Sequence, residues 1–394
     1  MKKGKQELPL IISFILVLGG VSLWSLIKPD AVFSKPEKRY LAEKPEFRMQ
    51  ELLEGSYQEQ YEEYLSDQFP GRLALAKLRT GTERLLGKKE VSGVYFGEDD
   101  YLIQRHGEQI FSSELAKENE KKLCELLNMS QEKGIAQRGV MMVPSAESVL
   151  RDKLASLAPE AAEEVWYEKL KQESSRETEG VFWYEPKETL QKAAQNQAVY
   201  YRTDHHWNMY GTYLGYETWA RENGVNSAAW EDYERKVLKD DFYGSLSAKV
   251  QTEIQPDTLE SCSRRNGISY MITYNESQTE YDSFYMEENL ETVEPYAVYL
   301  NGNQPLTRIR QQNPSETAKG KKLLLIKDSF GNSLAIFLAE NFEEIVMVDL
   351  RFRGIDLEQL MEQEQFTQML AVYNGAQFCQ TQLAGYFYEG GEHR

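Results

Sequence analysis

The sequence predicts an α/β fold: a doubly wound, mostly parallel sheet with a β-rich insertion, preceded by an N-terminal transmembrane helix. Three observations lead there. Short apolar runs of four to seven residues alternate with amphipathic, helix-like stretches through much of residues 139–374, the rhythm of a sheet covered on both faces. Residues 236–320 break that rhythm with a stretch rich in Tyr, Ser, Thr and Asn. An uncharged segment also runs from Leu8 to Ile27, long enough to cross a bilayer as a helix even with Gly19 and Gly20 inside it.

Lys2, Lys3 and Lys5 stand on the short side of that segment. The positive-inside rule therefore places the N-terminus in the cytoplasm and the rest of the chain outside the cell membrane, held by a single pass. A cleaved signal peptide is the competing reading, but no small-x-small site follows before Lys28. Residues 1–28 are thus an anchor or signal. Residues 29–112 form an arm with helices and a hairpin, since "KPDAVFSKPEKRYLAEKP" is proline-rich, residues 51–86 are helical up to a break at "DQFPGR", and "SGVYFGEDDYLIQ" alternates about a turn. An amphipathic helix over residues 113–133, stopped by Gly134, opens the α/β domain of residues 113–394. Its expected strands are "GVMMVP", "GVFWYEP", "AVYY", "KLLLIKD", "EIVMVDL" and "QMLAVYN", with the insertion between the third and fourth.

Composition narrows the function. Sixty-three acidic residues against 45 basic ones give a net charge of −18, which argues against a nucleic-acid partner. Three cysteines are too few for a disulfide framework. In a doubly wound sheet, ligands bind beyond the carboxyl ends of the strands. Two loops lie there, "TDHHW" after the third expected strand and "KDSFGNS" after the fourth. Ser329 occupies a strand-to-helix turn, where a hydroxyl is exposed and helix N–H groups can face a developing oxyanion. Equally, Asp328 or Ser329 can simply cap the helix.

A serine nucleophile needs a base, and the base needs a carboxylate to fix its tautomer. Asp204 and His206, two apart, can face one side of an extended segment and meet those needs. A metal reading takes Asp204, His205 and His206 as ligands. It is the weaker of the two, because adjacent histidines in an extended segment point apart, while His106 and His393 lie elsewhere in the sequence. Plain surface or core histidines are the third reading. No metal or cofactor is expected.

"RTDHHWN", "IKDSFGNSL", "VDLRF" and "NGNQPL" together resemble the DHHW family of bacterial exported proteins, related to the alginate O-acetylation proteins of the SGNH hydrolase superfamily. "FSKPEKRYLAEKPEF", "YLSDQFPGR", "SGVYFGEDDYLI" and "VPSAESVLRDKL" extend the likeness in order over nearly the whole chain. The resemblance implies an SGNH/flavodoxin-like fold and a triad with Asp204 as acid, His206 as base and Ser329 as nucleophile. It makes the Ser329 N–H, Asn303 and Asn332 candidate oxyanion donors. His205, Trp207 and Arg351 are candidate substrate-lining residues, with core packing the alternative for Trp207 and pairing to Asp349 the alternative for Arg351. Lys327 stands where related enzymes have glycine. The implied function is an extracytoplasmic serine esterase or O-acyltransferase, O-acetyl being the expected group. Its substrate would be a cell-envelope polysaccharide, with the acyl donor supplied by a membrane-bound O-acyltransferase. The alternative is a catalytically inactive polysaccharide-binding or scaffolding protein.

Overall fold

The computed structural model describes residues 4–156, 158–252, 254–264, 268–275 and 277–383, without the side chains of residues 4–8 and 10. His393 lies outside the described residues. The chain forms two compact units, Met1–Ser92 with Ser247–Glu253, and Gly93–Leu246 with Ile254–Arg394.

The first unit is helical, with elements at Gly4–Ile27, Met49–Glu54, Ser56–Gln68 and Arg72–Leu85. The last two are separated at Gly71, whose φ of 74° suits a residue without a Cβ. The buried Asp67 carboxylate takes hydrogen bonds from the Arg39 guanidinium and the Ala42 N–H, fixing the proline-rich arm to the end of its helix. From Ile11 onward the helix Gly4–Ile27 carries exposed apolar side chains, among them Phe14, Leu16, Val17, Trp24 and Ile27. Among the described residues, however, no helix is long and apolar enough to cross a membrane. The segment expected as an anchor, Leu8–Ile27, is helical, and part of that span lies at side chains outside the described residues.

The second unit is built on a seven-stranded sheet. Its strands in chain order are β1 (Gln137–Val143), β2 (Val181–Trp183), β3 (Tyr270–Tyr274), β4 (Leu306–Gln311), β5 (Lys322–Lys327), β6 (Glu344–Val348) and β7 (Gln368–Asn374). Their spatial order is β3-β4-β6-β5-β7-β1-β2. From β6 to β2 every neighbouring pair is parallel, while β3 and β4 join antiparallel at one edge. Leu325 of β5 lies opposite Met347 of β6 and Leu370 of β7. Alternation along β5 feeds two cores: Leu323 and Leu325 enter one apolar cluster, Leu324 and Ile326 the other. Helices α1 (Glu114–Glu132), α2 (Glu163–Glu177), α6 (Leu357–Gln363) and α7 (Gly375–Gln380) contribute to the second cluster. Helix α3 (Lys187–Ala194) contributes to the first, where α4 (Met209–Glu222) and α5 (Phe330–Leu338) pack on each other.

Two expectations about strands are revised. Residues 198–201 are not a sheet strand. Tyr200 makes a single antiparallel bridge to Trp207, with Tyr201 N–H bonding to the His206 carbonyl and Asn208 N–H to the Val199 carbonyl. Four apolar residues were enough to suggest a strand, but the chain turns back at once and pairs with its own return. The insertion also divides. Its hairpin, Glu234–Phe242 with Asp257–Ser263, forms a separate two-stranded sheet, whereas β3 and β4 extend the central one.

Candidate active site

The Tyr200–Trp207 bridge closes residues 201–206 into a tight loop whose backbone is held from below. Asp257 accepts the Arg202 and Thr203 N–H groups at 2.8 and 2.7 Å and the Thr203 hydroxyl at 2.6 Å. The loop thereby presents Asp204 and His206 together. Asp204 Oδ1 lies 2.6 Å from His206 Nδ1 and also accepts the His206 N–H at 3.0 Å. His206 Nε2 lies 2.7 Å from Ser329 Oγ. All three side chains are buried.

Ser245, on the far side, completes the carboxylate. Its N–H and hydroxyl both donate to Asp204 Oδ2, at 2.8 and 2.9 Å. Gly244 allows this close approach, since a Cβ there would stand 2.2 Å from Asp204 Cβ. Burial alone would push the Asp204 carboxyl up. The adjacent His205 and His206 rings, with the hydrogen bonds from His206 and the Ser245 amide, outweigh it and hold Asp204 well below the usual carboxylate range. Asp204 therefore stays anionic and fixes the proton of His206 on Nδ1, leaving Nε2 to accept from Ser329. The Tyr296 ring stacks on the imidazole with centroids 3.9 Å apart and planes 10° apart, and Phe330 lies against it at 4.9 Å.

Asp328 is the residue that caps α5, accepting the Phe330 N–H at 2.9 Å and the Asn374 N–H at 2.8 Å. The Ser329 hydroxyl is not used as a cap and bonds to His206 instead. Lys327, at the end of β5, is 1% exposed. It runs beside Gly331, where a Cβ would meet its own Cβ at 2.5 Å. Its Nζ reaches Asp349 Oδ2 at 3.3 Å and Asn303 Oδ1 at 3.4 Å. Burial lowers the Lys327 pKa, opposed by the charge of Asp349.

The remaining expected site residues divide. Asn332 Nδ2 donates to the Gly302 carbonyl at 3.1 Å and approaches Asn303 Oδ1 at 3.4 Å, so Asn332 serves to hold the Asn303 loop beside the first turn of α5. Asn303 is exposed, and two donors converge on its carbonyl oxygen. Trp207 is 0% exposed and gives its indole N–H to Ser333 at 3.1 Å. It is a core residue, and the expectation that it lines the substrate is corrected. Arg351 commits Nε and Nη2 to Asp349, the pairing alternative. His205 lies beside His206, ring centroids 4.0 Å apart, and is partly exposed.

Asp204, His205 and His206 do bring ligand-type atoms within 4.8 Å of one another. Both His206 nitrogens and both Asp204 oxygens are nevertheless engaged by protein partners, so a metal would have to displace Ser329 or break the Asp204 pairing.

The family model for DHHW protein matches residues 124–348, more than half of the chain. The chain belongs to the DHHW family. Among solved structures it is similar to a DHHW family protein from Eubacterium siraeum (20% identity, TM-score 0.56, covering 75% of this chain and 97% of that one). It is also similar to Bacillus cereus PatB1 with a sulfonyl adduct (20%, TM-score 0.55, 72% and 95%). The O-acetyltransferase domain of Pseudomonas putida AlgJ is more distant (13%, TM-score 0.47, 75% and 96%). The first two likenesses show the fold. Among curated proteins, no sequence matches this one.

Ser245, Asp257 and Tyr296 were not singled out in the sequence. "YGSL" carries a weak signal, because Gly-Ser marks a turn that lets backbone approach closely. Asp257 and Tyr296 carry none, standing among many similar acidic and aromatic residues of the insertion.

Proposed function

We propose that this DHHW family member is an extracytoplasmic serine esterase or O-acyltransferase, acting on a cell-envelope polysaccharide through an acyl-Ser329 intermediate. The observation that carries this reading is the continuous Asp204–His206–Ser329 hydrogen-bonded chain, at 2.6 and 2.7 Å. Ser329 Oγ attacks the acyl carbonyl as His206 Nε2 takes its proton, and Asp204 stabilises the resulting imidazolium. His206 then returns the proton to the leaving oxygen. Water or a sugar hydroxyl resolves the ester by the reverse sequence. The Ser329 N–H and the Asn303 amide are the proposed oxyanion donors.

Lys327 motivates the inactive, scaffolding alternative, yet its side chain is turned to Asp349 and Asn303 and leaves the Ser329–His206 contact intact. The exposed apolar helix Gly4–Ile27 supports membrane attachment of the extracytoplasmic domain, and carbonate extraction of the full chain from membranes tests that point. A membrane-bound O-acyltransferase is the proposed source of the acyl group.

The deciding experiment is p-nitrophenyl acetate hydrolysis with labelling by a sulfonyl fluoride. Wild type is expected to turn over and to be labelled on Ser329. Ser329→Ala and His206→Ala are expected to lose about three orders of magnitude or more in kcat. Equal activity in all three proteins would sink the triad and leave the scaffolding reading.

A further inference from the structure

The second histidine of the doublet has a protonation state that its neighbours dictate. Asp204 Oδ2 accepts from both the N–H and the hydroxyl of Ser245, so the single hydroxyl proton of Ser245 is committed to the carboxylate. His205 Nδ1 lies 2.9 Å from that same Ser245 Oγ. With its proton already given away, Ser245 Oγ can only accept there, which puts the ring proton of His205 on Nδ1. His205 Nε2 is then an unprotonated acceptor, and among the described residues it has no protein partner. It belongs to a side chain that remains 27% exposed, whereas His206 beside it is only 5% exposed. Burial pushes the His205 pKa down to about 4, with the charge of His206 acting in the same direction, so the ring stays neutral in ordinary buffers.

Two parallel relays thus converge on Asp204. One runs from Ser329 through His206 to Oδ1, the other from His205 through Ser245 to Oδ2. The first ends in a nucleophile. The second ends in an open lone pair, one ring-to-ring contact of 4.0 Å from the base.

We infer that His205 Nε2 is a hydrogen-bond acceptor for a second hydroxyl of the acyl acceptor, so that the site prefers a vicinal diol, as sugars carry, over an isolated alcohol. This rests on the acyl-Ser329 reading above. In the transfer step the attacking hydroxyl forms the new ester bond to the acyl carbon and gives its proton to His206 Nε2. The Ser329 Oγ–acyl bond breaks, and the proton passes to Ser329 Oγ. The neighbouring hydroxyl keeps its proton throughout and donates it as a hydrogen bond to His205 Nε2. His205 is in this sense a specificity-determining residue. The acid and base of the transfer remain Asp204 and His206.

The test uses the full chain, p-nitrophenyl acetate as acyl donor, and glycerol or 1-propanol as competing acceptors at equal concentration, with acetylated products counted by mass spectrometry. Wild type is expected to favour glycerol by about fivefold or more, the size of one neutral hydrogen bond. His205→Phe, which keeps a ring and loses the acceptor, and His205→Ala are expected to bring the ratio within about twofold of unity. His205→Gln, whose Oε1 can accept, is expected to restore part of the preference. A wild-type ratio near unity, an unchanged ratio in the Phe and Ala variants, or acylation followed only by hydrolysis overturns the inference. Failure of the parent reading looks different: p-nitrophenolate release would then survive Ser329→Ala.

Discussion

Replacing Asp204 by Asn is the sharpest perturbation of this site, because it keeps shape and changes only which atoms donate. In the folded protein Asp204 accepts four hydrogen bonds, two on Oδ1 from His206 and two on Oδ2 from Ser245. An asparagine can serve only one side. With its oxygen toward His206, its NH2 faces the Ser245 N–H across the 2.8 Å gap that Oδ2 now spans, a donor against a donor. With its oxygen toward Ser245, its NH2 faces His206 Nδ1, which must become an acceptor and move its proton to Nε2. The Ser329 hydroxyl then has no base. The second arrangement relieves the clash and abolishes the proposed proton acceptor. A wrong tautomer costs about 10⁴ in kcat, about 5.5 kcal/mol of barrier. The unpaired donor at the His206 N–H costs about 1–3 kcal/mol of stability. Stopped-flow hydrolysis of p-nitrophenyl acetate measures the first quantity and urea denaturation the second. A kcat within about tenfold of wild type, in a variant that folds, would refute the tautomer argument and with it the role assigned to Asp204.

Three further outcomes are expected. Lys327→Met should lower stability by only about 1–2 kcal/mol, because Arg351 continues to pair Asp349, whereas Asp349→Asn leaves the buried Lys327 ammonium without its carboxylate beside the half-buried Arg351 and should cost about 3–5 kcal/mol; urea denaturation separates them. His205 titrates at 6.5 when unperturbed and near 4 when folded, so the unfolded chain takes up a proton first. Stability should fall as pH drops from 6.5 towards 4, by on the order of 3 kcal/mol at most, and His205→Phe should remove that component from the pH profile of the urea midpoint. Tyr296→Phe keeps the ring stacked on His206 and should leave kcat within about twofold of wild type, while Tyr296→Leu should lower it about three- to tenfold, the worth of an aromatic pair.

What could be read in the sequence follows the range of the interactions. Strands β5, β6 and β7 are buried on both faces, so their apolar runs are unbroken and their positions stand out. Residues 198–201 show the limit: a short apolar run records burial, and Tyr200 and Tyr201 are buried, but it does not record which partner the backbone finds. The proposed acid and base, Asp204 and His206, were legible because two residues set the spacing, and Ser329 because a strand–turn–helix transition exposes a hydroxyl. The cap alternative at Asp328 and Ser329 could be resolved only in three dimensions, where Asp328 takes the Phe330 amide and Ser329 turns to His206. The departure at Lys327 was visible as a residue, while its burial against Asp349 and Asn303 was not.

The insertion explains why the site is not complete in the sheet itself. A loop after an apolar run and a turn after β5 supply Asp204, His206 and Ser329, but neither element lays a ring flat on the imidazole or saturates the second carboxylate oxygen. The Tyr-, Ser- and Asn-rich stretch does both. Ser245 and Asp257 hold the Asp204 loop from two sides, Tyr296 stacks on His206, and the segment at Gly302 and Asn303 is tied to Asn332 on the helix that follows Ser329. Its polar composition then has a physical reason, since a segment that must hydrogen-bond a buried carboxylate cannot be wholly apolar. On this view its residues orient Asp204 and His206 toward Ser329. The Tyr296 and Ser245 positions are where changes should alter turnover without touching any of Asp204, His206 or Ser329.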